Sequence, residues 1–284
     1  MKLDNSQQIM MDRRTLLLAM GGTLLTACGG PGQAAGFQLP IGVQLYSIRD
    51  IFSTDQYTVL QRLAEMGTRE LEFAGLYRAD PQSIKDTMDE HGMTAPACHF
   101  QLEQLESDLP AAIAETKTLG ASYVVLPYVR LKRRQSMDDW RTVFRIMSTV
   151  ADQLHDEGLK FAYHPHEFEF AEMDGEVPFD AMLAETREDR VLVEMDFYWM
   201  AVAGRAPEDV FDAHPGRVQL AHLKDYSADG SMANLGEGTL DFPDLIVKAQ
   251  AAGLRHGFIE RDDLPAPYYD GLQTSIDHLN SLRA

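Results

Sequence analysis

The sequence predicts a single (β/α)₈ TIM barrel from about Ile41 to the C-terminus, preceded by an export signal and a short tether. Beyond the first forty residues, short apolar runs alternate with longer amphipathic stretches, the pattern of a parallel sheet with crossover helices. There are eight such runs, and the roughly 245 residues that carry them are the usual size of one such barrel. In addition, Met66-Gly67, His91-Gly92, Leu119-Gly120, Glu157-Gly158 and Ala252-Gly253 each place glycine just past a helix, where a left-handed C-cap is needed. Five helix–glycine–strand joints are hard to produce in a sandwich or a bundle. An open doubly wound sheet is the main alternative, but no GxGxxG turn follows the first strand, which weakens a dinucleotide-binding version.

In chain order the expected strands are Ile41–Tyr46, Arg69–Phe73, Thr94–Cys98, Tyr123–Leu126, Lys160–Tyr163, Val191–Met195, Val218–Ala221 and Gly257–Ile259. Helices are expected at Thr58–Met66, Gln82–His91, Leu109–Leu119, Asp138–Glu157, Phe179–Glu185, Phe242–Ala252 and Tyr268–Leu282, with a short one near Pro207–Ala213.

The N-terminus reads as an address. Asp12-Arg13-Arg14-Thr15 leads into Leu16-Leu17-Leu18-Ala19-Met20, then Gly21-Gly22 and a second short apolar run, the layout of a secretory signal. This stretch is too short to span a hydrocarbon core of about 30 Å comfortably, so a permanent transmembrane helix is the weaker reading. The paired arginines resemble a twin-arginine export signal, with Asp12 where Ser or Thr is more usual. Leu25-Thr26-Ala27-Cys28 resembles a bacterial lipobox, in which Cys28 is lipidated and becomes the mature N-terminus; the alternative is a plain signal peptide with an incidental cysteine. Residues 1–27 are thus expected to be a signal peptide, 28–40 a flexible tether and 41–284 the barrel, periplasmic or anchored facing the periplasm.

Net charge is −19, so phosphate backbones repel the chain and nucleic acid is not an expected partner despite nine histidines. The membrane is expected to be met only through the lipid anchor, and a homo-oligomer is left open. Cys28 and Cys98 make neither a disulfide framework nor a CxxC metal signature.

In such barrels the chemistry lies at the C-terminal ends of the strands. Those ends carry Gln44 and Tyr46, Glu72, His99, Tyr128, His164 and His166, Glu194 and Asp196, His222 and Lys224, and Glu260. A lone histidine there is more often a hydrogen-bonded structural residue than a ligand. Glu194 alone reads as a buried ion-pair member, and Phe197-Tyr198-Trp199 as core. The balance shifts because the last four strands supply His164, Asp196, His222 and Glu260, one N or O donor each, at equivalent positions. Mixed imidazole and carboxylate donors suit one divalent metal ion (Mn, Co, Zn, Fe or Mg) and leave positions for substrate oxygens.

Six motifs then stand together: Gly42-Val43-Gln44-Leu45-Tyr46-Ser47-Ile48-Arg49-Asp50, Tyr163-His164-Pro165-His166-Glu167-Phe168-Glu169-Phe170, Glu194-Met195-Asp196-Phe197-Tyr198-Trp199, His222-Leu223-Lys224-Asp225, Gly236-Glu237-Gly238 and Glu260-Arg261-Asp262. In order and spacing they resemble the xylose isomerase-like superfamily of sugar isomerases and epimerases, in its secreted sugar phosphate isomerase/epimerase branch. In epimerases of that superfamily a Glu, an Asp, a His and a second Glu hold the metal, and the two Glu exchange protons with substrate. Asp196, His222 and Glu260 match the last three. The first Glu is unmatched: the fifth strand offers His164, with His166 on the same face and Glu169 further out.

The resemblance implies removal of a proton from carbon next to a carbonyl, with His166 as base, since imidazole titrates near neutrality. Glu260 would be ligand and second acid/base, and Lys224 would stabilise an oxyanion or protonate a leaving oxygen. Tyr46, Glu72, His99 and Trp199 would bind a small carbohydrate. One enolate gives isomerase or epimerase outcomes, or lyase and dehydratase outcomes if a neighbouring substituent leaves. For an exported enzyme, neutral sugars, keto-sugars or keto-glycosides are the expected substrates rather than sugar phosphates. Two rivals are a non-catalytic sugar-binding lipoprotein and metal-dependent phosphodiester cleavage, as in the endonuclease IV relatives of this fold. The complete donor set argues against the first and the acidic charge against the second.

Overall fold

Gly42 stands where the barrel closes: a Cβ there would lie 2.4 Å from the Gly257 carbonyl oxygen, so only glycine lets the first and last strands meet. The computed structural model describes residues 38–283. Eight strands pair in parallel all the way round: β1 (Gly42–Gln44), β2 (Glu70–Phe73), β3 (Thr94–His99), β4 (Tyr123–Leu126), β5 (Lys160–Tyr163), β6 (Val191–Asp196), β7 (Val218–Leu223) and β8 (His256–Ile259). Around them run α1 (Gln56–Glu65), α2 (Pro81–Glu90), α3 (Leu109–Leu119), α4 (Met137–Asp156), α5 (Pro178–Glu185), α6 (Pro207–Ala213), α7 (Phe242–Ala252) and α8 (Tyr268–Ser281). The closed (β/α)₈ barrel expected from the sequence is the architecture found.

Local chemistry explains the boundaries. Asp55, Asp80, Asp108, Ser136 and Asp241 each accept a backbone N–H of the first turn they precede, starting α1, α2, α3, α4 and α7. The five glycines expected past helices all have positive φ, from 64° to 118°. β1 is shorter than expected because the Gln44 side chain accepts the Tyr46 N–H at 3.0 Å, turning the chain into a 3₁₀ turn at Leu45–Ile48. Several further elements were not foreseen: short helices at Arg49–Phe52, Leu102–Ser107 and Phe197–Val202, 3₁₀ turns at Leu131–Arg133 and Glu167–Phe170, and a two-residue ladder between Asp225–Tyr226 and Met232–Ala233.

Period-two alternation builds two cores. Leu71, Cys98, Val124, Phe161, Val193, Ala221 and Ile259 face the helices in one large cluster, which also takes the α4 stripe Trp140, Phe144, Met147 and Leu154. Ala97, Tyr123, Val125, Ala162, Leu192, Leu220 and Phe258 form a separate apolar plug inside the barrel. The next inward positions above that plug are the polar ones. Cys98 is buried and free, and burial pushes its thiol well above the ordinary value, so it is inert. The signal-peptide, tether and Cys28 expectations lie almost wholly outside the described residues. Among the described residues, no helix is long and apolar enough to cross a membrane.

Candidate metal centre

Above the plug, alternation carries Glu194 and Asp196 of β6 inward, His222 of β7, and Glu260 just past β8. Strand register sets Asp196 beside His222. Asp196 Oδ1 accepts the Trp199 N–H at 3.0 Å, capping the Phe197–Val202 helix, which leaves Oδ2 to face the barrel axis. His222 Nδ1 lies 2.8 Å from Glu260 Oε2 and 3.7 Å from Asp196 Oδ2, and His164 Nε2 lies 4.0 Å from Asp196 Oδ2. One donor atom from each of the four lies within 4.8 Å of the others, and all four residues are buried.

These residues fit a divalent ion. Asp196 Oδ2, His222 Nδ1 and Glu260 Oε2 are buried and converge on one point, with the two carboxylate oxygens balanced by the Lys224 ammonium in place of an ion. Ligands about 2.0–2.2 Å from a shared ion stand a few ångströms apart, as these do. Burial opposes the His222 charge, but Glu260 and Glu194 outweigh it and raise this ring well above the ordinary histidine value, so a bound ion would displace a proton there. Burial, reinforced by His222 and His166, holds His164 well below the ordinary histidine value, leaving a neutral ring with a free lone pair. Burial raises Asp196 and Glu260, but Lys224 and His222 outweigh it, so both carboxyls are lowered and ionised.

Lys224, 1% exposed, sets its ammonium 2.9 Å from Asp196 Oδ2, 2.8 Å from Glu260 Oε2 and 3.1 Å from Asp262 Oδ1. Burial disfavours its charge, yet the three carboxylates carry its pKa well above the ordinary lysine value. It is thus a fixed cation against the ligand set. Its Nζ is also 5.5 Å from the centre of the Trp199 ring.

A cavity of about 460 Å³ opens over these residues, with Tyr46, His99, Tyr128, His164, His166 and Glu260 in its wall. His166 is stacked on Phe168, with ring planes 7° apart, and its ring centre lies 5.4 Å from that of Trp199. Burial and the Lys224 charge lower its pKa to about 4, so the imidazole is neutral, and Nδ1 has no hydrogen-bond partner. Its backbone N–H donates to Glu169 Oε2 at 2.9 Å in a reciprocal cap of the Glu167–Phe170 turn, and Glu169 Oε1 in turn accepts from the Tyr163 hydroxyl. Glu169 is therefore a support beneath His166, not a ligand on the axis.

His164, Asp196, His222, Glu260, Lys224 and His166 are thus brought together, with Tyr46 at the mouth and Trp199 beside His166. Glu72 is not where the sequence reading placed it. It is fully buried below His222, receives Gln44 Nε2 at 2.7 Å, and lies 2.7 Å from His222 Nε2, out of a sugar's reach. The cause is its neighbours: Gln44, His99 and His222 close over the Glu72 carboxylate and take up its oxygens. His99 reaches the cavity wall but also pairs downward with Glu72 and Glu194, at 3.1 and 3.0 Å. Sequence reasoning missed Asp262, Arg49 and Tyr77. Asp262 belonged to a quoted motif, so a signal existed; Tyr77, at φ 49° in an irregular loop, had none.

A model of the xylose isomerase-like TIM barrel matches residues 60–279. An inosose dehydratase of Geobacillus kaustophilus is 22% identical over 204 residues, 63% of this chain and 64% of the relative, so the chain spans just under two thirds of that protein. A sugar phosphate isomerase/epimerase structure from Parabacteroides distasonis superposes with a TM-score of 0.74 at 22% identity, over 85% of this chain and 97% of that one. The IolI protein with a bound zinc atom gives a TM-score of 0.70 at 12% identity, over 86% and 98%. With the barrel and its inward donor set already in place, the match over most of the chain shows that this protein belongs to the xylose isomerase-like TIM barrel family.

Proposed function

We propose that this protein is a divalent-metal-dependent sugar isomerase or epimerase that enolises a keto-sugar, or a neutral sugar, outside the cytoplasm. The observation that carries this reading is the convergence of one donor atom each from His164, Asp196, His222 and Glu260 within 4.8 Å of one another, beneath a cavity walled by a neutral His166. A divalent ion held by His164, Asp196, His222 and Glu260 would supply Lewis-acid polarisation of a carbonyl and favour negative charge on its oxygen.

This chain's residues do the rest. His166 accepts the proton from the carbon next to the carbonyl, its lowered pKa keeping the lone pair available at neutral pH. Phe168 and Trp199 hold its ring in place. The Lys224 ammonium, its hydrogen bonds already made to Asp196, Glu260 and Asp262, lends positive charge to the site as the enolate forms. Glu260, ionised and held by His222 and Lys224, suits a ligand better than a proton donor. Tyr46 and Trp199 offer ring faces to the sugar. A neutral substrate fits because Lys224 is committed to three carboxylates and Arg261 to Asp263 at 2.8 Å, leaving neither as a free phosphate clamp near the seventh and eighth strand ends. Export rests on the Arg13-Arg14 and Leu25–Cys28 motifs.

Elimination is the second reading. It is favoured by His164 standing where the epimerases have a glutamate, which removes half of a two-glutamate proton exchange, and by the similarity to an inosose dehydratase.

The test is proton exchange. With a panel of keto-sugars and keto-glycosides in D₂O, NMR is expected to show metal-dependent deuterium incorporation next to the carbonyl, lost in His166→Ala. Exchange that survives His166→Ala at the wild-type rate would refute the assignment of the base. Loss of a β-substituent from the same carbons would select elimination over epimerisation.

A further inference from the structure

We infer that the barrel holds a second divalent-cation position, directly below the first, formed by Glu72, His99, Glu194 and the Nε2 edge of His222. The four donor atoms lie within 4.8 Å of one another, as tightly grouped as the outer set. Glu72, Glu194 and His222 have 0% exposure, and His99 also borders the cavity, which gives an ion a way in.

Hydrogen-bond counting carries the argument. Glu72 Oε1 and Glu194 Oε2 lie 3.1 and 3.0 Å from His99 Nε2, while Glu72 Oε2 and Glu194 Oε2 lie 2.7 and 3.3 Å from His222 Nε2. Four carboxylate contacts thus converge on two ring nitrogens, each of which carries at most one proton. Gln44 supplies only one of these oxygens, its Nε2 donating to Glu72 Oε2 at 2.7 Å. Its Oε1 accepts the Tyr46 N–H, which fixes the amide, and its Nε2 then sits 3.3 Å from His99 Nε2, a donor facing what would have to be another donor. Glu194 Oε1 accepts no hydrogen bond at all, although its carboxylate is wholly buried. Buried carboxylates short of donors need a cation between them. Two imidazoles and two carboxylates are a donor set for a first-row divalent ion.

His222 is the shared residue: Nδ1 faces the outer set and Nε2 the inner one. When both ions are bound its ring is a bridging imidazolate. Its ring proton and the Nε2 proton of His99 pass to solvent, so the charge gained from the ion is partly offset by protons released. The inference concerns metal content and stands apart from the reaction proposed above.

The test is metal stoichiometry on the full chain. Chelator-stripped protein is equilibrated with Mn²⁺, passed through a desalting column, and measured by elemental analysis and EPR. Wild type is expected to retain two ions per chain with an exchange-coupled Mn²⁺ spectrum. Glu194→Gln, nearly isosteric, and His99→Asn are each expected to retain one ion, with the spectrum of an isolated Mn²⁺. Circular dichroism identifies any variant that has not folded, and the other then decides. One ion in wild type, lost in Asp196→Asn but kept in both inner variants, would overturn the inner position and leave the outer one standing. Two ions unaffected by either inner variant would also overturn it.

Discussion

Lys224→Met removes the ammonium held between Asp196, Glu260 and Asp262 while keeping most of the side chain's volume. In the stripped protein, the loss leaves Asp196, Glu260 and Asp262, which stood 2.9, 2.8 and 3.1 Å from the ammonium, repelling one another, the first two of them buried. Removing one partner of a buried ion pair costs about 3–5 kcal/mol. For a domain of this size, where 1 kcal/mol moves Tm by roughly 2–4 °C, the stripped variant is expected to melt roughly 6–20 °C below stripped wild type. Divalent metal should reverse most of this, because the ion's charge replaces the one lost. The ion should also bind more tightly than in wild type, where the ammonium competes for the same two oxygens. Scanning fluorimetry with chelator and with Mn²⁺ reads both effects. A stripped variant as stable as wild type, or a metal-induced rise no larger than the wild type's, would refute the electrostatic account.

Burial raises the Glu169 carboxyl to about 8, although the Tyr163 hydroxyl and the His166 N–H stabilise its charge. A carboxyl raised on folding contributes stability that is full below its unfolded value and fades as pH climbs to its folded value. Wild-type Tm is therefore expected to decline by an amount worth a few kcal/mol between about pH 4.5 and 8, and Glu169→Gln to decline less; identical profiles would sink the assignment. Asp225 accepts the backbone N–H groups of Tyr226, Gly236, Gly238 and Leu240 at 2.8–3.3 Å, pinning the segment between β7 and α7. Asp225→Asn turns a charged acceptor into a half-donor, so faster proteolysis within 226–240 is expected, by upwards of 1 kcal/mol of local opening. At Gly42, where a Cβ would meet the Gly257 oxygen, Gly42→Ala should lower stability by about 1–3 kcal/mol in urea unfolding. A neutral effect there would mean that β1 and β8 can part freely.

The strands were legible because their signal is local. Val191–Asp196 and Val218–Leu223 are apolar runs bounded by turns, and five helices end on glycines whose left-handed backbone no other residue adopts cheaply. The outer donor set was legible for the same reason: the last inward position of a parallel strand is predictable once its end is known. What sequence did not reveal is depth. Glu72 and His222 are both strand-end polar residues, yet the Glu72 carboxylate is covered by Gln44 and the His222 imidazole and does not border the cavity. The Phe197–Val202 helix was read as core because its start depends on a single side-chain contact, Asp196 Oδ1 to the Trp199 N–H. Tyr77 and Asp262 reach the site through loops whose paths are set by tertiary packing, not by their own residue types.

The claim that everything else rests on is that His164, Asp196, His222 and Glu260 hold an ion, and diffraction at the manganese edge from Mn²⁺-soaked crystals tests it most directly. The expected result is an anomalous peak enclosed by His164 Nε2, Asp196 Oδ2, His222 Nδ1 and Glu260 Oε2, lost in Asp196→Asn. Manganese found only on the acidic outer surface, with the Lys224 ammonium still seated between Asp196 and Glu260, would contradict it.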